Sequence, residues 1–354
     1  MKVKIITKSP VHIGSGESYS ASEFIQSKAK SQGKVIETIK RIDISEYFMS
    51  LDKKEQENFL KKLSSKRFKL SSIKDNLKDY GLYTSRNKCQ EFNPDKDIVE
   101  MIKTLNQIYI PGSSIKGAIK TALLYNSLND EDISMLKHPR NINKIVKHKF
   151  SSSYVSNSPQ GDIMRFLQVS DSSTRKFPSI YEVYPIMASS KNGKTFYQER
   201  LNKTNYIETI ELDEKLSFEL NNNFSNDVHR ELRFKENQIK LIDVNYIKES
   251  VFAFSKALIN HELDFSIDYG IDSLIDYYTD LEKINSPEKP LLKIGSGSGF
   301  LATTVALKVK NKKFYENIRK SLRTKTYNYE FPKSRKITRI EGMPLGWVQL
   351  AFGE

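Results

Sequence analysis

The chain has 354 residues, 57 Lys and Arg against 43 Asp and Glu, and a formal net charge of +14. At 38% hydrophobic and 28% charged it has the composition of a globular protein rather than a disordered one, long enough for two domains with cores of their own. No apolar run approaches the roughly 20 residues of a membrane span, MKVKIITKSPVHIG does not read as a secretory signal, and the single Cys89 excludes an intrachain disulfide and makes a reducing cytoplasm the simplest home.

Residues 2–7, KVKIIT, alternate as a strand should. Pro10 and the run Gly14, Ser15 and Gly16 then predict a loop, with His12 beside it. Residues 35–42, VIETIKRI, read as a second strand. Phe48, Leu51, Glu55, Phe59 and Leu63 recur at helical spacing over 46–63. Residues 64–104 are Lys-rich and weakly periodic, so about 46–104 reads as an exposed helical insertion.

The segment 109–123, YIPGSSIKGAIKTAL, reads as a strand end, a Gly/Ser loop and a helix. Ser113 or Ser114 is placed to N-cap that helix. Ile115, Ala118, Ile119, Ala122 and Leu123 form its apolar face, and Lys116 and Lys120 lie one turn apart on another face. Residues 137–161 are basic and then Ser-rich and read as a mobile loop. Residues 164–173, MRFLQVSDSS, read as a buried strand ending in a polar turn, with Asp171 a turn cap rather than a ligand. Asn192 and Gly193 between the strand-like runs 180–187 and 195–201 predict a hairpin with a basic tip, Lys191 and Lys194. Ile247, Val251, Phe254, Leu258 and Leu263 mark a helix; Ile271, Leu274, Ile275, Tyr278 and Leu281 mark another after a break at Gly270. A second strand–loop–helix pattern, LKIGSGSGFLATTVAL, covers 292–307, and the end GMPLGWVQLAF reads as a last strand with Trp347 in the core. Mixed strands and helices, twice over, suggest two α+β units and hint at internal duplication.

Both Gly/Ser loops leave backbone N–H groups free at a helix start, where anions bind; the alternative is that the glycines only permit a tight turn or close packing. Neither is a nucleotide-binding motif. Gly112 to Gly117 has the Walker A spacing, but Ala118 and Ile119 stand where Lys and Ser/Thr are required. Gly295, Gly297 and Gly299 are evenly spaced, unlike the dinucleotide fingerprint. The five histidines, His12, His138, His148, His229 and His261, show no paired metal-ligand spacing. The stretch 331–336, FPKSRK, reads either as a phosphate-contacting segment or as a solvated basic edge. The basic excess fits a polyanion partner, or an AT-rich genome that favours Lys, Asn and Ile.

Taken together, PVHIGSGE (10–17), YIPGSSIKGAIKTAL, LQVSDSS, KIGSGSGF, FPKSRK and GMPLGW resemble the RAMP superfamily of CRISPR-associated RNA-binding proteins. The nearest match is to the Csm-type RAMP subunit that caps the end of the type III-A interference complex. The resemblance implies an α+β fold of two ferredoxin-like (RRM-like) RAMP domains with helical and hairpin insertions. Residues 1–178 would be the N-terminal domain and 179–354 the C-terminal domain with the Gly-rich loop. It implies a non-catalytic crRNA-binding subunit near the crRNA 3′ region that assists 3′-end maturation in antiviral defence, with no metal or cofactor. The implied RNA contacts are His12, Gly14, Ser15, Gly112, Ser113, Ser114, Lys116, Lys120, Arg165, Gly295, Ser296, Gly297, Ser298, Gly299, Lys333, Ser334 and Arg335. The implied partners are crRNA, target RNA indirectly, the backbone RAMP subunit, a small helical subunit and host nucleases. The D-x-P-V-I segment with which the backbone RAMP slices its target is absent from 17–45, which argues against slicing by this chain. A metal-independent crRNA-processing endoribonuclease using His12 is the alternative.

Overall fold

The computed structural model describes residues 1–31, 33–65, 68–73, 76–155, 158–321 and 330–353. Lys2–Thr7 (β1) alternates exposed and buried side chains as its sequence predicts, with Val3 and Ile5 fully buried. The next strands are β2 (Gly14–Tyr19), β3 (Phe24–Ser31), β4 (Lys34–Ile42), β5 (Gly81–Lys88) and β6 (Ile98–Met101). A small ribbon pairs β7 (Lys103–Thr104) with β8 (Gln107–Ile108). Then come β9 (Leu167–Val169), β10 (Ser179–Lys191), β11 (Lys194–Glu199), β12 (Asn205–Thr209) and β13 (Lys215–Asn222). The last three are β14 (Leu291–Lys293), β15 (Ser334–Thr338) and β16 (Trp347–Phe352).

The fold is α+β. One sheet has the antiparallel order β14-β16-β1-β13-β9. In chain order, β1, the helix Gly112–Ser127, β9, β13, the helix Val244–Tyr269 and β16 make a βαββαβ unit. Its strands stand in space as β16-β1-β13-β9, the fourth, first, third and second, which is the ferredoxin-like order. Both helices cover this sheet, and Ile115, Ile119, Val251 and Leu258 join Val3, Ile5, Phe218 and Leu350 in one core. The other sheet runs β2-β6-β12-β10-β5-β4-β3, with β11 and β15 also paired to β10. Each sheet takes strands from both sides of residue 178, so the boundary expected there is not a division between sheets.

The hairpin at Asn192 and Gly193 forms as its sequence predicts. Lys191 pairs with Lys194, and Asn192 and Gly193 take φ of 53° and 76°, the double positive φ of the tight turn that matches strand twist. Thr195 Oγ1 donates to the Asp268 carbonyl at 2.6 Å, so the hairpin leans on the Val244–Tyr269 helix. Gly270, at φ 67°, ends that helix before Asp272–Ile284 begins.

Other expectations need correcting. Among the described residues, the insertion expected as helical over about 46–104 is helical only at Ile44–Ser50 and Lys53–Leu63, apart from short 3₁₀ turns. It then supplies β5, where Tyr83 and Ser85 turn inward, and β6, where only the end residues Ile98 and Met101 are buried, a spacing that shows no alternation. The loop expected at 14–16 is instead the start of edge strand β2, with a register irregularity between Gly14 and Ser18. The loop expected at 137–161 contains the helix Ile142–Phe150, which buries Ile145 and Phe150. The strand expected over 164–173 is only Leu167–Val169, preceded by a 3₁₀ turn at Ile163–Phe166. The second strand–loop–helix is not a copy of the first, because its helix is a single turn, Gly299–Ala302. Among the described residues, no helix is long and apolar enough to cross a membrane.

Candidate nucleic-acid interface

The Gly-rich loop leaves β14 and is held against the chain that leaves β1. Ile294 N–H donates to the Gly346 carbonyl at 2.8 Å, and Gly346 N–H donates to the Pro10 carbonyl at 2.9 Å. Ser296 N–H donates to the His12 carbonyl at 2.8 Å, and a Cβ on Gly295 would stand 2.4 Å from that same oxygen. Gly295, Gly297 and Gly299 take φ of +70°, +82° and +72°, a region closed to most side chains. Ser298 Oγ donates back to the Gly295 carbonyl at 2.8 Å. The loop is therefore a fixed backbone turn and not the head of a long helix dipole.

His12 is buried, 4% exposed. Its Nδ1 lies 2.6 Å from the Glu208 carbonyl oxygen, which can only accept, so Nδ1 carries the proton. Burial lowers its pKa, the Lys336 and Lys103 charges add to this, and the Glu208 carbonyl and carboxylate oppose it. The ring is thus neutral near pH 7 and ties the exit of β1 to β12. Gly14 and Ser15 are exposed on β2, where Ser15 Oγ donates to the Glu100 carbonyl at 3.3 Å.

Beneath the loop lies a charge cluster. Arg335 Nε donates to Glu262 at 2.5 Å, Arg335 Nη1 donates to the Pro332 carbonyl at 2.6 Å, and the guanidinium lies 3.9 Å over the Phe265 ring. Arg335 was expected as a surface RNA contact; it is 9% exposed. The reason is the period of β15: Arg335 and Ile337 face inward while Ser334 and Lys336 face solvent. Lys336 is the surface cation of that strand, and Lys333 is half-buried just before it.

The Gly112–Ser127 helix starts elsewhere, against β9. Gly112 is its first residue and Pro111 its N-cap without a side-chain bond, so Ser113 and Ser114 sit within the first turn and do not cap it. Asp171 Oδ1 accepts the Gly112 N–H at 2.8 Å, supplying the anion for which the helix start was expected to need a phosphate. Lys116 is half-buried, and burial lowers its pKa. Lys120 is paired with Asp162 at 2.7 Å and lies 4.8 Å over the Phe150 ring. Arg165 is exposed and donates to the Gln160 carbonyl at 3.2 Å. The structure thus joins His12, Gly14 and the 295–299 loop in one neighbourhood with Lys336, and places the 112–120 and 165 residues in another beside β9.

Sequence reasoning missed Lys293 and Glu262. Lys293 ends an apolar strand and is 7% exposed; Glu262 lies on the apolar face of its helix and is 4% exposed. Lys293 sits inside the apolar run LLKI and Glu262 inside the polar stretch NHELD, so neither sequence neighbourhood shows a charge that points inward. Next to Glu262, His261 accepts from Lys310 Nζ at 2.9 Å, while Lys310 donates to Glu330 at 2.5 Å. Burial, then the Lys310 charge, lower the His261 pKa to about 4. An unfolded histidine titrates near 6.5, so acidification protonates the unfolded chain first. Stability is expected to be complete above pH 6.5 and to fall by about 3 kcal/mol as pH drops toward 4. Urea unfolding at pH 7.5 and 4.5 checks this: the extra acid loss relative to His261→Gln should be of that size, and an equal loss in both proteins would contradict it.

Residues 4–331 match the RAMP superfamily, and the chain belongs to that superfamily. Within it, the chain is similar to two proteins described as "CRISPR system Cms protein Csm5". It is 26% identical to the one from Methanocaldococcus jannaschii over 324 residues, 86% of this chain and 72% of that protein. It is 28% identical to the one from Streptococcus thermophilus over 138 residues, 35% of this chain and 37% of that protein. Two solved structures share the fold. One is a chain of a Csm-crRNA-target RNA ternary complex of a type III-A CRISPR-Cas system, with TM-score 0.73, 22% identity, and coverage of 99% of this chain and 100% of that one. The other is T. onnurineus Csm5, with TM-score 0.66, 20% identity, and coverage of 98% and 99%.

Proposed function

We propose that this chain is a crRNA-binding subunit of a type III-A Csm-type effector complex, without catalytic activity of its own. It caps the complex near the crRNA 3′ region, contacts the backbone RAMP and the small helical subunit, and assists 3′-end maturation carried out by host nucleases. The observation that carries this reading is full-length likeness: 99% of this chain overlays 100% of a chain from a Csm complex assembled on crRNA and target RNA. The fixed Gly-rich turn, with exposed Lys336 nearby and Lys116 on the separate β9 side, supports backbone contact. Contacts of this kind go to phosphates and are sequence-tolerant. The buried, neutral His12 speaks against a catalytic base that must meet RNA at the surface.

Neutralising Lys336 and Lys116 to Gln tests the interface. Each change should lower the slope of log affinity against log salt by about one unit, with the fold intact by circular dichroism. An unchanged slope in the double variant would remove both lysines from the RNA surface.

A further inference from the structure

A cleft of about 220 Å³ opens beneath the Gly-rich loop, lined in part by Glu262, Lys293, Gly297, Ser298, Arg335 and Lys336. Its charges are unbalanced. Glu262, the one carboxylate among the described lining residues, is committed to Arg335 Nε. Arg335 Nη2 is buried with no hydrogen-bond partner among the described residues. Lys293 makes no hydrogen bond among them either; its Nζ stands 5.3 Å over the Trp347 ring. Among the described residues, two buried cations against one carboxylate leave one positive charge uncompensated, and exposed Lys336 at the rim adds a second. Buried cations and unmet donors are costly unless a counter-ion joins them.

The charge and the shape select the counter-ion. A phosphate monoester carries about −1.5 to −2 at neutral pH and offers three acceptor oxygens. A backbone diester carries a single charge and must leave in two directions. The floor of the cleft is the buried pair Lys293 and Arg335, so a group that reaches them arrives end-on. We propose that this cleft binds a phosphate monoester end-on, with Lys293 and Arg335 Nη2 holding its oxygens and Ser298 and Lys336 at the mouth. Resting on the RNA-binding reading above, the monoester is the terminal phosphate of an RNA strand; free phosphate shares the same chemistry.

Trp347 is the only tryptophan of the chain and touches Lys293, so its emission reads the cleft directly. The full chain is titrated with inorganic phosphate, and with one oligoribonucleotide carrying a 3′-phosphate, a 5′-phosphate or hydroxyls at both ends. Inorganic phosphate should shift the emission saturably in the wild type and not in Lys293→Met. One phosphorylated end should bind about tenfold tighter than the hydroxyl form, the size of one charge-assisted hydrogen bond. Ser298→Asp, on the half-exposed rim, should erase that preference without relying on a buried substitution. A phosphate response without end preference would overturn the RNA terminus and assign the cleft to free phosphate. If no RNA binds while phosphate still titrates, the RNA-binding reading fails and the cleft stands. No saturable response, or one that survives in Lys293→Met, overturns the site.

Discussion

Arg335→Leu is expected to destabilise the protein by about 3–5 kcal/mol, because it leaves Glu262 buried without its partner. Glu262 is 4% exposed, and its pKa is lowered despite burial by the Arg335 and Lys293 charges beside it. Lys293 alone does not hydrogen-bond that carboxylate among the described residues, so it does not replace the lost bond. The substitution also removes the guanidinium from the Phe265 face and from the Pro332 carbonyl. Urea unfolding followed by far-UV circular dichroism measures the loss. Adding Glu262→Gln to Arg335→Leu should recover a large part of it, since a neutral amide costs less to bury than an unpaired carboxylate. A single variant within about 1 kcal/mol of wild type would mean that the pair contributes no more than an exposed one.

Gly112→Ala is the second large effect. A Cβ there would lie 2.2 Å from the Val169 carbonyl and 2.6 Å from the Ser170 carbonyl, both backbone atoms that cannot rotate away. The helix start must move, and the Gly112–Asp171 bond and the seating of the helix on β9 move with it. Overpacking of this kind costs about 1–3 kcal/mol and more where the obstacle is rigid. Gly117→Ala, five residues along the same helix with no atom within 4 Å of its Cβ, is the control. It should stabilise by up to about 1 kcal/mol through helix propensity. Melting temperatures that move in opposite directions support the account; two similar shifts would contradict it.

The contrast between these glycines shows what the sequence could reveal. Both stand in one segment, IPGSSIKG, and look alike on paper. Only the fold brings Val169 against the first and leaves the second open. The legible features were those whose signal is local. These include the alternation of β1, the Asn192–Gly193 turn, the helix ending at Gly270 and the buried last strand around Trp347. The hidden features depend on partners far along the chain. Asp171 caps a helix that starts 59 residues earlier, and Glu262 holds an arginine 73 residues later. β5 escaped notice because its inward Tyr83 and Ser85 run into Arg86, Asn87 and Lys88, β6 because its four residues bury only the two ends, and strand order between distant segments leaves no local trace.

The central claim is that this chain holds crRNA without cutting it. The most direct test incubates purified protein with end-labelled crRNA across a salt series, read on native and denaturing gels in the presence of a chelator. The account predicts a native shift that falls steeply as salt rises, with the RNA intact under denaturing conditions. A discrete cleavage product that disappears in His12→Ala would contradict it and make the chain an endoribonuclease.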